Sequence, residues 1–282
     1  MSQILGDQSI QSFLEHAGHL LYQNEAANSL MLGLCEGMLA AVPKNPPLLI
    51  RVVENNKTIS AAIQTPPMNL IVTYADASTL KKLAEYLKEI GASFPGVVGP
   101  AQEAELFASY WTAQFGKRSQ LGMGQKIYKL EKVEFPDKVD GSFRIAKTDE
   151  LEIVFEWILA FTQESLPASD QRDESYWREF AERAIQKQNA HFWTKNNKPV
   201  SLAFASRPTK NGISINCVYT PPDFRKNGYA SAVVSHLSQK LLDTGKKFCV
   251  LYTDLSNPTS NKIYQNIGYR EVSDSKHFVF DI

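Results

Sequence analysis

Cysteine is scarce in this chain and lacks the spacing of a disulfide framework. Cys35, Cys217 and Cys249 stand far apart in apolar surroundings. An odd number of cysteines without paired spacing argues for reduced thiols in a cytoplasmic protein. The histidines His16, His19, His191, His236 and His277 are scattered, so no Cys/His cluster with metal-ligand spacing exists and no metal is expected. An excess of one charge is also missing: Lys+Arg and Asp+Glu both total 30. Nucleic-acid-binding and membrane-surface proteins usually carry a basic surplus, so neither class is expected. No apolar run reaches the roughly 18 residues of a membrane span. The opening MSQILGDQSIQSFLEHAG lacks the basic-then-apolar pattern of a secretory leader. The phosphate-loop pattern G-x-x-x-x-G-K-[ST] and the dinucleotide fingerprint are absent, which disfavours a nucleotide-phosphate protein.

What is present is ample apolar material, 43% of 282 residues. That suffices for one large core or two ordinary domains. Hydrophobic periodicity predicts helix over 7–41 with breaks near Gly33 and Gly37, and strands over 48–53, 58–64 and 70–74. A helix over 78–90 follows, with Ser78 as its expected cap and Gly91 as its stop. Residues 94–100 read as loop, 101–115 as helix and 125–133 as strand. The polar, breaker-rich stretch 135–141 is the expected boundary between domains 1–135 and 141–282. Beyond it the pattern gives a strand at 142–146 and helices over 149–166 and 173–188. Strands at 190–194, 200–205, 213–218 and 248–253 are expected next, then a short helix to 266 and closing strands at 269–272 and 277–280.

The two halves resemble each other. Asn55-Asn-Lys-Thr-Ile-Ser-Ala-Ala-Ile-Gln-Thr-Pro-Pro67 lies without a gap on Asn196-Asn-Lys-Pro-Val-Ser-Leu-Ala-Phe-Ala-Ser-Arg-Pro208. Hairpins reuse Asn and Lys, but the order of elements repeats too, which favours a duplicated fold. The halves differ after the third strand. The second has Arg225-Lys-Asn-Gly-Tyr-Ala230, whereas the first has Ala75-Asp-Ala-Ser-Thr-Leu80, without glycine or basic residue.

That stretch of the second half is the centre of the chain's chemistry. Val218 to Ala230 joins an apolar strand to an amphipathic helix. Backbone N–H groups at a helix start point outward, and the helix dipole places about half a positive charge there. Gly228 lets a ligand approach the backbone, and Arg225 and Lys226 are expected to add mobile positive charge. Pro221-Pro222 stops the strand.

Arg225-x-x-Gly228-x-Ala230 resembles the [Arg/Gln]-x-x-Gly-x-[Gly/Ala] pattern of the GNAT superfamily of N-acetyltransferases. The strand Cys249–Thr253 and the run Asn257-Pro-Thr-Ser-Asn-Lys-Ile-Tyr-Gln-Asn-Ile-Gly-Tyr269 look like that family's closing signature. The resemblance covers about 142–282 well and the first half as a degenerate copy. It implies an α/β (α+β) fold of two tandem domains, each a mixed, mostly antiparallel sheet flanked by helices. It further implies acetyl-CoA as co-substrate, no metal, and transfer of the acetyl group to a primary amine by direct attack in a ternary complex.

In that pose the backbone of residues 225–230, namely Arg225, Lys226, Asn227, Gly228, Tyr229 and Ala230, wraps the CoA diphosphate. Val218, Tyr219 and Thr220 border the pantetheine arm on one side, with the backbone of Val218 and Thr220 pairing with it. Asn257 and Ser260 border it on the other, and Tyr264 is the general acid at the departing sulfur. Plainer roles stay open for several of these. Lys226 and Arg225 can be solvated, Tyr264 can pack its helix, and Asn257 can cap it. Glu164, Asp170, Asp173 and Glu179 are candidate bases or surface charges. Trp157, Tyr176, Trp177 and Trp193 line an acceptor pocket or pack a core, and His236 reads as structural. Cys217 and Cys249 read as a buried thiol pair on neighbouring strands. Two rivals remain: a CoA-binding sensor without catalysis, and a transferase of longer acyl groups. The acceptor is open among small amines, amino acids, aminoglycoside-like compounds and protein termini.

Overall fold

The computed structural model describes residues 2–41, 43, 45–167 and 170–281. The chain forms two compact units that interleave in sequence. One holds residues 1–127, 254–256 and 272–282; the other holds 128–253 and 257–271. The sequence reading took consecutive segments, 1–135 and 141–282. Strand pairing is the reason for the difference, because each sheet takes its last strand from the other half of the chain.

The first half runs β1 (Gln3–Gly6), α1 (Ile10–Gln23), α2 (Ser29–Ala40), β2 (Leu48–Glu54), β3 (Lys57–Gln64) and β4 (Leu70–Val72). It continues α3 (Ala77–Glu89), β5 (Gly96–Pro100), α4 (Ala101–Ala113) and β6 (Ser119–Leu130). The second half repeats that order. It runs β7 (Ser142–Ile145), α5 (Leu151–Ser165), α6 (Glu174–Gln186), β8 (Ala190–Lys195), β9 (Lys198–Ser206) and β10 (Gly212–Tyr219). Then come α7 (Tyr229–Asp243), β11 (Phe248–Asp254), α8 (Pro258–Asn266) and β12 (Arg270–Phe280). The sheet of the first unit is ordered β1-β2-β3-β4-β5-β12, and that of the second β7-β8-β9-β10-β11-β6. Strand β12 pairs antiparallel with β5 from Ser275↔Pro100 to Val279↔Gly96. The parallel pairs are β4 with β5 and β10 with β11, so the sheets are mostly antiparallel as expected.

The duplication extends to backbone detail. Asn55 and Asn56 turn the β2–β3 hairpin at φ +49° and +61°, and Asn196 and Asn197 turn β8–β9 at +49° and +62°. Asparagine tolerates this left-handed region better than other non-glycine residues. The register slips between Val52 and Val53 in one hairpin and between Trp193 and Thr194 in the other, at matching distances from the turn.

Helices cover both faces of each sheet. In the first unit Phe13, Leu21, Met31 and Leu32 of α1 and α2 pack one face, and Leu80, Leu83, Phe107 and Trp111 of α3 and α4 the other. In the second unit Val154, Ile158, Ala181 and Ile185 of α5 and α6 cover one face. Val233 and Leu237 of α7, Tyr264 of α8 and Ile267 just after it cover the other. Each fully buried side chain of this size contributes about 1.5–3 kcal/mol relative to exposure.

Three expectations from the sequence fail locally. Residues 7–41 are two helices parted at 24–28, where the Asn28 side chain donates to the Leu21 carbonyl; Gly33 and Gly37 lie inside α2. The cap of α3 is Asp76, not Ser78. Residues 96–100 are a strand between β4 and β12, not loop. The glycines there serve close approach and not a turn. A Cβ on Gly96 would lie 2.2 Å from the Phe278 carbonyl oxygen, and one on Gly99 2.6 Å from Val72 Cγ2.

The second unit buries a neutral histidine. His191 on β8 is 2% exposed and stacks on Phe143. Its Nδ1–H donates to the Asn189 carbonyl at 3.1 Å, and its Nε2 accepts from the Lys240 ammonium at 3.0 Å. Burial, followed by the Lys240 charge, pushes the imidazole down to about 4. The unfolded chain therefore binds a proton more readily than the native one below pH 6.5. Stability from this group is complete above pH 6.5 and is lost as pH falls toward 4, by an amount on the order of 2–3 kcal/mol. Urea unfolding at pH 7 and pH 4.5 should show a smaller acid loss in His191→Gln than in the wild type. An equal loss in both would remove His191 from the account.

Candidate functional site

Strand β10 is distorted on one side and released on the other. Against β9 it pairs Ser214↔Ser206, Ile215↔Ala205 and Asn216↔Phe204, then slips to Tyr219↔Leu202. One extra residue is accommodated there, and Cys217 takes φ +47° to do so. Such a bulge bends the strand and re-aims its groups. Against β11 the parallel register runs only through Gly212↔Phe248, Ile213↔Cys249 and Ser214↔Val250. Both strands continue, β10 to Tyr219 and β11 to Asp254, without pairing further. A gap therefore opens between them past Ser214, flanked by backbone groups free of a ladder.

The loop after β10 is held by its own side chains. Residues 222–224 form a short 3-10 turn. Arg225 Nε donates to the Thr220 carbonyl at 2.9 Å, and its Nη2 to both Glu164 oxygens at 2.9 and 2.7 Å. Asn227 Nδ2 donates to the carbonyls of Phe224 and Arg225 at 3.1 and 3.0 Å. Lys226 and Gly228 take φ +65° and +78°, turning the chain into α7. Gly228 is the N-cap and offers no side-chain acceptor to the helix. The N–H groups of the first turn of α7 thus lack intrahelical partners, with the dipole's positive end behind them. A Cβ on Gly228 would meet Val139 Cγ2 at 3.1 Å, a tight contact, and φ +78° favours glycine there.

The corresponding helix start in the first unit is closed. Asp76 accepts from the Thr79 N–H at 2.7 Å and from Ser78 Oγ at 3.0 Å. The Thr79 backbone bond leads in holding this carboxyl below its usual range. A resident carboxylate occupies the position that an incoming anion takes in an open helix start. Only α7 of this pair of equivalent helices begins without such a plug.

The residues expected at the site divide as follows. Arg225 is not a mobile charge, because Thr220 and Glu164 bind its guanidinium. The Thr220 carbonyl is therefore taken by Arg225, and Thr220 Oγ1 bonds Ser201 Oγ at 2.8 Å. The side chain of Lys226 is exposed. Asn227 shapes the loop. Tyr229 is 6% exposed and its side chain sits in the α7–α8 core. The N–H groups of Gly228, Tyr229 and Ala230 stand at the helix start without intrahelical acceptors. Tyr219 lies buried with its hydroxyl 3.4 Å from Glu164 and its ring against Trp157. Val218 lies in the bulge between Asn216 and Tyr219.

Asn257 caps α8, its Oδ1 accepting from the Ser260 N–H at 3.0 Å. Tyr264 is 9% exposed and edge-on to Tyr269, with centroids 6.0 Å apart. Burial pushes its phenol up to about 12. Among the described residues nothing hydrogen-bonds its hydroxyl.

The candidate bases are mostly engaged elsewhere. Glu164 pairs with Arg225, Glu179 with Arg183, and Asp173 caps α6 through the Tyr176 N–H at 2.8 Å. Cys249 lies opposite Ile213, not Cys217, and burial pushes its thiol up to about 12, so neither strand cysteine is a nucleophile. His236 packs between Phe135 and Trp193 and is structural. Among the described residues no three His, Cys, Asp or Glu side chains gather as a metal site, and no helix is long and apolar enough to cross a membrane. The bulge at Cys217 and the Arg225–Glu164 pair left no signal in the sequence, since both arise between segments distant along the chain.

A bulged strand, a parted parallel neighbour and a glycine-opened helix start together make up the candidate site. Residues 196–279 match the family described as FR47-like protein. The fold of the whole chain is similar to a GNAT acetyltransferase from Colwellia psychrerythraea (12% identity, 99% of this chain and 98% of that one, TM-score 0.59). It is also similar to a GCN5-related N-acetyltransferase from Sphaerobacter thermophilus (12%, 99% and 95%, TM-score 0.66). A tandem GNAT protein from the clavulanic acid biosynthesis pathway shares it (10%, 99% and 98%, TM-score 0.54). No curated protein matches the sequence significantly. The chain is thus a GNAT fold in tandem, with an FR47-like segment in its second half.

Proposed function

We propose that the protein transfers an acyl group from acyl-CoA, with acetyl-CoA as donor, to a primary amine. The observation that carries this reading is the uncapped, glycine-opened start of α7 beside the parted strands β10 and β11. Acyl-CoA fits these residues. Its diphosphate is an acceptor for the N–H groups of Gly228, Tyr229 and Ala230, where the glycine at 228 leaves the backbone uncovered. The gap past Ser214 gives its arm an unpaired strand edge, with Asn257 and Ser260 on the α8 side.

Bound acyl-CoA supplies an activated thioester carbonyl. The Val218 N–H, in the bulged segment, is assigned to polarise the carbonyl oxygen. Tyr264 holds its proton at neutral pH, because burial keeps its phenol far above 7, and delivers it to the leaving sulfur. The acceptor amine must shed a proton before attack, since its pKa near 10 keeps it charged at pH 7. Glu164, tied to Arg225, is a loop brace in this scheme and not the base. The first unit binds no CoA in this scheme, because Asp76 fills its helix start.

The test is an amine panel with acetyl-CoA, read as free thiol release. Amine-dependent release is the expected result, with acetyl-CoA faster than propionyl- and succinyl-CoA. Absence of heat on titration with coenzyme A would overturn the reading.

A further inference from the structure

A group of buried polar atoms without partners lies on the α5–α6 face of the second unit. Arg207 follows β9 at φ +45°. Its Nε is buried with no hydrogen-bond partner, and among the described residues no carboxylate pairs with it. Ser206 Oγ, Ser214 Oγ and Asn216 Oδ1 are likewise buried and unpartnered.

The sheet register brings these atoms together. Ser214 lies directly opposite Ser206, and Asn216 opposite Phe204. Residues directly opposite in an antiparallel pair share a face, and residues two apart along a strand share it too. All of Phe204, Ser206, Ser214 and Asn216 are therefore on one face. Phe204 belongs to the α5–α6 core and its ring meets Phe180 of α6 at 5.6 Å, which fixes that face. The Arg207 charge is felt by Tyr176 of α6 and Tyr252 of β11, although burial pushes its guanidinium down. Ser214 is also the last β10 residue to pair with β11, so the group sits at the vertex of the gap.

Arg207 is part-buried with its Nε enclosed and unpartnered, and such a guanidinium ordinarily has an anion. Among the described residues none is provided, whereas the same face of the sheet adds two hydroxyls and one amide oxygen. The guanidinium and hydroxyls suit a carboxylate, and the Asn216 oxygen suits an N–H donor. Building on the acyltransferase reading, we infer that the acceptor is an α-amino acid, its carboxylate held by Arg207, Ser206 and Ser214 and its amine by Asn216. Arg207 is then a specificity-determining residue at the vertex where acyl donor and amine meet.

The test is calorimetric titration of the full chain, with and without coenzyme A. The probes are the standard α-amino acids, each beside the amine left when its α-carboxylate is removed. At least one amino acid should bind about 10- to 100-fold more tightly than its amine, the range for a charge-assisted bond. Arg207→Gln should abolish that difference and leave coenzyme A affinity within about twofold. Ser214→Ala deletes a hydroxyl that no protein group uses, so it should fold normally and weaken the amino acid severalfold. The inference is overturned if no amino acid outbinds its amine, or if Arg207→Gln and Ser214→Ala both keep the preference. Because the amino-acid arm is read without coenzyme A as well, a failure to bind coenzyme A is scored separately against the acyl-CoA reading.

Discussion

In titrations with coenzyme A, Gly228→Asp is expected to bind at least ~100-fold more weakly than the wild type, with little change in thermal stability. The new carboxylate would put a negative charge at the positive end of α7, although residue 228 stands at φ +78° and not in the extended conformation from which Asp76 caps α3. A diphosphate would then be repelled by that charge. Stability should change little because two modest effects oppose. A negative charge at a helix start contributes about 0.3–1 kcal/mol. A side chain at φ +78° costs about 1–2 kcal/mol, and Val139 must give way by a few tenths of an ångström. Gly228→Asn carries the same backbone strain without the charge, so its loss of affinity should be smaller. If Gly228→Asp bound coenzyme A as the wild type does, the diphosphate is not at this helix start.

Tyr264→Phe should lower kcat by about 10²–10⁴-fold, the range for loss of a general acid, and leave coenzyme A affinity nearly unchanged. Among the described residues nothing hydrogen-bonds the hydroxyl, so removing it strands no partner and costs little stability. With the phenol pushed up to about 12, the wild-type rate should show no alkaline decline from Tyr264 below pH 10. Full turnover by Tyr264→Phe would leave the ring a packing residue against Tyr269. Unaltered binding together with no turnover in the wild type itself would favour the non-catalytic sensor.

Much of the candidate site was legible because its parts are contiguous. Strand, Pro-Pro stop, basic loop, Gly228 and helix follow one another within Val218–Ala230, and local geometry alone links them. The contrast with Ala75–Leu80 was legible for the same reason, although the cap was assigned to Ser78 where Asp76 holds it. The role of Arg225 was not legible. Its partner Glu164 lies on another helix, and its charge is spent on bracing the loop. Residues 96–100 read as loop because glycine and proline punctuate turns, whereas here the glycines let β12 and β4 come close.

Local pattern alone fixed the alternation of helices and strands, the duplication marked by Asn55-Asn-Lys and Asn196-Asn-Lys, and the glycine-bearing loop that opens the helix at Tyr229. These depend on periodicity and on residue chemistry within a few positions of each other. Tertiary contacts set the rest: the exchange of final strands, the bulge at Cys217, the parting of β10 from β11 and the placing of Ser206, Ser214 and Asn216 on one face. Each of these is set by which distant strands pair and where their register slips, and pairing between remote segments has no local pattern to announce it.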